Sequence, residues 1–214
     1  MYKLLLLVII STTSLIQVVA QTTSDITLFF DITVDTKSSK PQLANMFNGA
    51  TQTVYIKGTS HRTDEVNTLG TSSTIYNGTT NAAIITKEYG TQKILVNLTA
   101  AQWAANNKKY DNITFTPTNQ TKIIAGYTTK GYTGKLQDGT AFSVYTTSSL
   151  NPEVNTYKNN QFAKLPGVVL QYEFSIADMQ VTNTVSSVVL GSIPASKFVV
   201  NTAGYREMPY QPNK

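Results

Sequence analysis

The feature that most limits what this chain can fold into is a hydrophobic period of two. Across 25–35, Ile26, Leu28, Phe30, Ile32 and Val34 fall on one side of an extended segment, with Thr27, Asp31 and Thr33 on the other. The alternation returns across 168–176, where Val168, Leu170, Tyr172, Phe174 and Ile176 interleave with Val169, Gln171, Glu173 and Ser175. A third run sets Met179, Val181 and Val185 against Gln180, Thr182, Thr184 and Ser186. Successive side chains of a strand point to opposite faces, so this pattern specifies strands with one buried and one wetted face, as in antiparallel sheets. Shorter strands are expected at 53–57, 62–66, 74–76, 82–88, 93–98, 113–116, 121–135 and 140–147. The abundance of Thr and Tyr agrees with strand preferences.

Punctuation between these runs fits a meander. Asn77-Gly78 and Asp138-Gly139 carry the residues that tolerate positive φ in tight hairpins. Thr99 and Gln102 match a capping box opening a helix over 99–109, which holds Trp103. A second, shorter helix is expected over 41–47, with Leu43, Met46 and Phe47 facing inward. Gly126, Gly131 and Gly134 read as bends within one long, sharply curving strand over 121–135. Long helices do not alternate with strands, which excludes a doubly wound α/β fold. The expectation is a mainly β (α+β) domain, a single antiparallel sheet of about eleven strands with one or two short covering helices.

The first twenty residues give an address. Lys3 is followed by the apolar run 4–10, a mixed segment and Val18-Val19-Ala20, the layout of a cleavable secretory leader. A membrane anchor would need roughly 20 apolar residues, and Ser11, Thr12, Thr13, Ser14 and Gln17 interrupt this stretch. Residues 1–20 are therefore read as a signal peptide and 21–214 as one domain, large enough to bury a core without staples. The chain has no cysteine, hence no disulfide and no lipidated residue behind the leader. A bacterial periplasmic or secreted protein without a membrane anchor is expected. The four sequons at Asn77, Asn97, Asn112 and Asn119 carry no weight in a chain so rich in Asn and Thr.

Charge excludes one class of partner. The net charge of +5 is spread thinly, charged residues being 14%, and the longest basic cluster is Lys108-Lys109. Nucleic-acid binders instead show a basic stripe beside stacking aromatics.

Catalytic signals are sparse. His61 is the sole imidazole, and Asp64 or Glu65 could orient it in a Ser–His–Asp arrangement, but no Gly-x-Ser-x-Gly elbow presents a nucleophile. Amid charged neighbours His61 reads as a solvated strand residue. One His, no Cys and scattered carboxylates offer no metal-ligand cluster, and the glycines form no phosphate loop, so neither metal nor cofactor is expected. A non-enzymatic role follows.

Certain motifs carry a resemblance. Thr121-Lys122-Ile123-Ile124-Ala125-Gly126-Tyr127 is followed by the Asp138-Gly139 turn, a strand ending in Tyr145, and Leu165-Pro166-Gly167-Val168-Val169-Leu170; Lys197-Phe198 and Gly204-Tyr205 close the succession. This resembles the GLPGLI-type group of exported bacterial proteins of unknown function, with Lys164 in place of the first glycine and Val168-Val169 in place of Leu-Ile. The resemblance implies a fold like the lipoprotein carriers LolA and LolB, an incomplete β-barrel lidded by helices. It supplies no catalytic residues.

Two function classes stay open. In the first, the concave face of a half-barrel holds an apolar ligand, a lipid, lipopeptide or acyl chain, against Phe30, Trp103, Tyr172, Phe174 and Met179. In the second, the chain is a structural or envelope-maintenance partner of another protein, working through its Thr/Asn-rich outer face. A void beneath the sheet favours the first, solid packing the second.

Overall fold

Where the sequence alternates, the backbone extends. The computed structural model describes residues 25–35, 44, 45, 47–150, 161–176 and 179–212. Its strands are β1 (Asp25–Val34), β2 (Thr51–Lys57), β3 (Ser60–Asn67), β4 (Gly70–Asn77), β5 (Ala82–Tyr89) and β6 (Gln92–Leu98). After helix α1 (Ala100–Asn107) come β7 (Thr114–Ile124), β8 (Tyr127–Lys135), β9 (Ala141–Thr147), β10 (Val168–Ile176), β11 (Met179–Leu190) and the short β12 (Arg206–Glu207). All twelve form one open sheet in the order β12-β6-β5-β4-β3-β2-β1-β11-β10-β9-β8-β7. Two meanders thus meet at a seam where β1 pairs with β11, from Ile26↔Leu190 to Val34↔Val181. The pairing is antiparallel except at one edge, where β12 runs parallel to β6, a departure from the expected all-antiparallel sheet.

The sheet is curved. The Tyr172 hydroxyl on β10 donates to Gln52 Oε1 on β2 at 3.1 Å, although two strands separate theirs in the sheet order. In a flat sheet those strands would lie roughly 14 Å apart, so the face between them must be concave. Ile26, Leu28, Phe30, Ile56, Val144, Leu170 and Val185 belong to the main buried cluster. Each fully enclosed side chain such as Leu28 stabilises the fold by about 1.5–3 kcal/mol.

Cross-strand pairs locate the two faces. Phe30 pairs with Gln52 and Val185, and Gln52 pairs with Glu65, so these side chains share the concave side. A register shift between Val169 and Gln171 interrupts the alternation of β10. Val168, Val169 and Leu170 are consequently all buried, whereas alternation placed Val169 on the polar side. A bulge reorients the side chains that follow it.

The capping box is present: Thr99 Oγ1 accepts from the Gln102 N–H, and Gln102 Oε1 accepts from the Thr99 N–H. The helix is shorter than 99–109, giving way at Lys108–Tyr110 to a single 3₁₀ turn. Trp103 seats α1 on the concave face against Tyr76, Ala83 and Leu98. No helix among the described residues is long and apolar enough to cross a membrane.

Residues 193–205 pass over the opposite face. Lys197 O accepts from Arg62 Nη1 at 2.7 Å, the Lys197 ammonium stands 5.0 Å over the Tyr55 ring, and Tyr205 donates to Glu88. Asp25, buried at the start of β1, holds this segment by accepting from Ile193 N–H at 2.8 Å while pairing with Lys57 at 2.6 Å. The segment ends beside β6, where Met208 N–H donates to Leu95 O.

Three expectations are corrected. The long strand over 121–135 is a hairpin, its two-residue turn formed by Ala125 (φ 48°) and Gly126 (φ 83°), the positive φ pair of a type I′ turn. Its first strand starts at Thr114 and absorbs a bulge between Pro117 and Thr121, so 114–116 and 121–124 belong to one strand, β7. At Asn77-Gly78 the positive φ falls on Asn81, and Gly78 instead leaves room for Thr59, whose carbonyl oxygen would lie 2.2 Å from a Cβ there. In the predicted helix 41–47, Ala44, Asn45 and Phe47 are helical, while Leu43 and Met46 lie outside the described residues. The predicted leader 1–20 lies outside them as well.

Candidate functional site

Curvature leaves space between the sheet and the elements laid over it. Three hollows of about 260, 430 and 460 Å³ lie under α1, the 3₁₀ turn and the segment around Gln161, and all three share Tyr110 and Gln161 in their walls. Residues of β1, β2, β3, β4 and β10 line the first, a convergence that a flat sheet could not produce.

The predicted ligand residues divide around this space. Phe30 and Trp103 are buried, and with half-buried Tyr172 they line the 260 Å³ hollow. Phe30 meets Tyr172 edge-on at 6.0 Å, and Tyr172 stacks on Phe174 at 6.3 Å. Phe174 lines the 460 Å³ hollow and packs against Ile32, Ala50 and Val181. Met179, 1% exposed, lines none of the three.

The residues overlooked in the sequence are the polar ones. Tyr172 donates to Gln52, Gln52 Nε2 donates to Glu65 Oε1 at 3.0 Å, and the Ser72 hydroxyl donates to Glu65 Oε2 at 3.3 Å. This chain crosses the concave floor from β10 to β4, with Thr63 and Thr74 lining the same hollow. The space is therefore amphipathic, with aromatic walls over a hydrogen-bonding floor. Alternation within β3 would have grouped His61, Thr63 and Glu65 on one side; the charged composition of 61–65 masked it.

His61 is not solvated. It is 8% exposed, opposite Ile56, and stacks on Tyr76 at 5.0 Å. Tyr76 in turn lies 5.7 Å from Trp103. Burial penalises the charged imidazolium and lowers its pKa from 6.5 to about 4, so the ring is neutral near pH 7. Asp64 engages Arg62 and Ser73 at 2.6 Å each, away from His61, and Glu65 is taken by Gln52 and Ser72. The Ser–His–Asp arrangement drawn from the sequence is not assembled. Among the described residues, His61 Nδ1 and Trp103 Nε1 are enclosed without a hydrogen-bond partner.

By its length of fourteen residues, the loop over 151–164 reads from the sequence either as a flap beside the sheet's opening or as a solvated excursion before Pro166. Residues 151–160, with Tyr157, lie outside the described residues. Phe162 is buried at 5.1 Å from Tyr172, and Lys164 Nζ donates to the carbonyls of Asp111 and Ile113 at 3.0 and 3.2 Å. The described end is thus fastened to the body of the protein.

No family model matches the chain, and no curated protein matches it. Among solved structures, an uncharacterized conserved protein from Thermus thermophilus aligns with a TM-score of 0.53 at 7% identity, over 88% of this chain and 91% of that one. The likeness is one of fold alone. PNGF-II aligns at 0.48 and 13% identity over 87% of this chain, and this chain spans 31% of its length. MucB aligns at 0.43 and 11% identity, over 86% of this chain and 60% of MucB.

Proposed function

We propose that this chain is an exported, non-catalytic binding protein that holds an amphipathic lipid-like ligand between the concave sheet and α1. The aromatic-walled, polar-floored hollow bounded by Phe30, Trp103 and Tyr172 carries the reading. Its 430 and 460 Å³ neighbours are each of the size that holds small ligands, about 300–1,000 Å³. An acyl chain would lie along Phe30, Tyr172 and Phe174, and the polar end would face the floor. The leader-like residues 1–20 support export, and the resemblance of 121–127 and 165–170 to the GLPGLI-type group, with its implied carrier fold, supports the ligand class.

Thermal melting with and without fatty acids, monoacylglycerols and lipopeptides tests it. Ligand at a hundredfold excess over Kd should stabilise the folded state by about 2.7 kcal/mol. Phe174→Asp should abolish that gain and Phe174→Leu should keep most of it. No shift across the panel would refute the reading and leave a ligand-free structural partner in its place.

A further inference from the structure

The one parallel pair in the sheet decides where the segment after β11 comes to lie. β12 matches Arg206 to Ile94 and Glu207 to Leu95, running in the direction of β6. β6 leads through Leu98 and the Thr99 cap into α1, so at about 3.3 Å per residue Met208, Pro209 and Tyr210 travel toward the base of that helix. An antiparallel strand would have carried them the other way, toward Gln92. Before the pair, on the outer face, Tyr205 donates to Glu88 and has the Lys93 ammonium 5.5 Å from its ring centre. After it, Tyr210 packs against the inner cluster of Tyr76, Ala83, Leu98 and Trp103. The chain therefore hooks round the edge of the sheet and comes to rest against the residues that seat α1.

α1 depends on that seat. Eight residues are too few for a helix to persist in water by itself, and Trp103, 5.7 Å from Tyr76, is its one buried side chain. The hook that braces the seat is lightly tied. Beyond Tyr205, among the described residues, its backbone is held by the two paired residues and by Met208 N–H donating to Leu95 O at 2.8 Å. Pro209 has no N–H to continue the ladder, and the bond from Asn97 Nδ2 to Glu207 Oε1 at 2.7 Å is exposed. Elements held by so few buried contacts open without the rest of the fold.

We infer that residues 206–210 form a clip that holds α1 down on the sheet, with Tyr210 as its positioning residue. The Tyr210 hydroxyl is enclosed without a hydrogen-bond partner among the described residues, so the ring does the bracing. Trp103 and Asn107 of α1 line two of the hollows beneath the helix, and releasing the clip frees that roof. The clip's part in admitting a ligand rests on the function proposed above; its hold on α1 does not.

The test compares the full chain with Tyr210→Ala and Tyr210→Phe. Trp103 is the single tryptophan, so acrylamide quenching reads the seat of α1 directly, while hydrogen exchange compares α1 with β1 and β11. Tyr210→Ala should speed exchange of the amides of 103–107 about tenfold, make Trp103 easier to quench, and leave β1 and β11 at the wild-type rate. Tyr210→Phe keeps the ring and should hold both readings at or below the wild-type values. Unchanged quenching and exchange in Tyr210→Ala would overturn the clip. Exchange accelerated equally in β1 and β11 would overturn it too, marking Tyr210 as an ordinary packing residue. In stopped-flow mixing Tyr210→Ala should also take up and release laurate faster, and rates equal to the wild type would overturn the clip's part in ligand entry. If α1 loosens while no fatty acid, monoacylglycerol or lipopeptide binds either protein, the clip is upheld and the binding reading is overturned.

Discussion

Acidification offers a direct test of how His61 sits in the fold. The ring is buried against Tyr76, and burial holds its pKa at about 4 against an ordinary 6.5. Because the folded value lies below the unfolded one, the unfolded chain takes up a proton first as pH falls. Stability is therefore complete above pH 6.5, declines through the interval from 6.5 to 4, and levels off below 4 as far as this residue is concerned. At about 1.4 kcal/mol per pH unit, the loss amounts to about 3 kcal/mol, a large share of the 5–15 kcal/mol typical of a domain. His61→Phe preserves the stacking on Tyr76 and removes the titration. Urea unfolding of both proteins at half-unit steps from pH 7.5 to 4 isolates the effect, since other titrating groups cancel in the difference. The wild type should lose about 3 kcal/mol more than the variant across that range. Parallel pH profiles would show that His61 charges without penalty, and the account of its burial would be wrong.

Two further substitutions probe particular constraints. Gly167 has φ +74°, and a Cβ there would lie 2.1 Å from Thr147 O; Gly167→Ala should cost about 1–3 kcal/mol in urea unfolding, and a neutral result would remove the physical reason for glycine in the Leu165-Pro166-Gly167 stretch. Thr99→Ala deletes the cap of α1 and should cost about 1 kcal/mol, seen as an earlier melt together with a change in Trp103 fluorescence.

What could be read in the sequence is what is written locally. β1, β10 and β11 each carry enough alternation to be placed, and α1 announces itself through Thr99 and Gln102. The β7–β8 hairpin escaped because Ala125-Gly126 lacks the Asn or Asp that marks such turns. β12 has two residues and no period, and its parallel pairing depends on where the chain returns after β11. The aromatic half of the candidate site was legible, since Phe30, Tyr172 and Phe174 stand in periodic runs. Its polar half was not. His61 is inside because Ser60 pairs back on Lys57 across the Gly58-Thr59 turn, which sets the ring opposite Ile56. Gln52 and Glu65 become floor residues through a partner, Tyr172, on a strand far along the chain. Composition around such residues reports their chain neighbours, whereas burial is decided by cross-strand neighbours.

The seam between β1 and β11 has a consequence for the order of assembly. β2 to β6 are linked by tight turns and can pair as they emerge, and β7 to β9 likewise. The middle of the sheet waits, because β1 cannot find its second neighbour until Met179–Leu190 has been made. Closing so long a stretch of chain before any contact rewards it makes this the slow step. Until then the main cluster, which joins Ile26, Leu28 and Phe30 to Val185, stays incomplete. The two halves of the sheet can therefore form early, while the join between them depends on nearly the whole chain having been made.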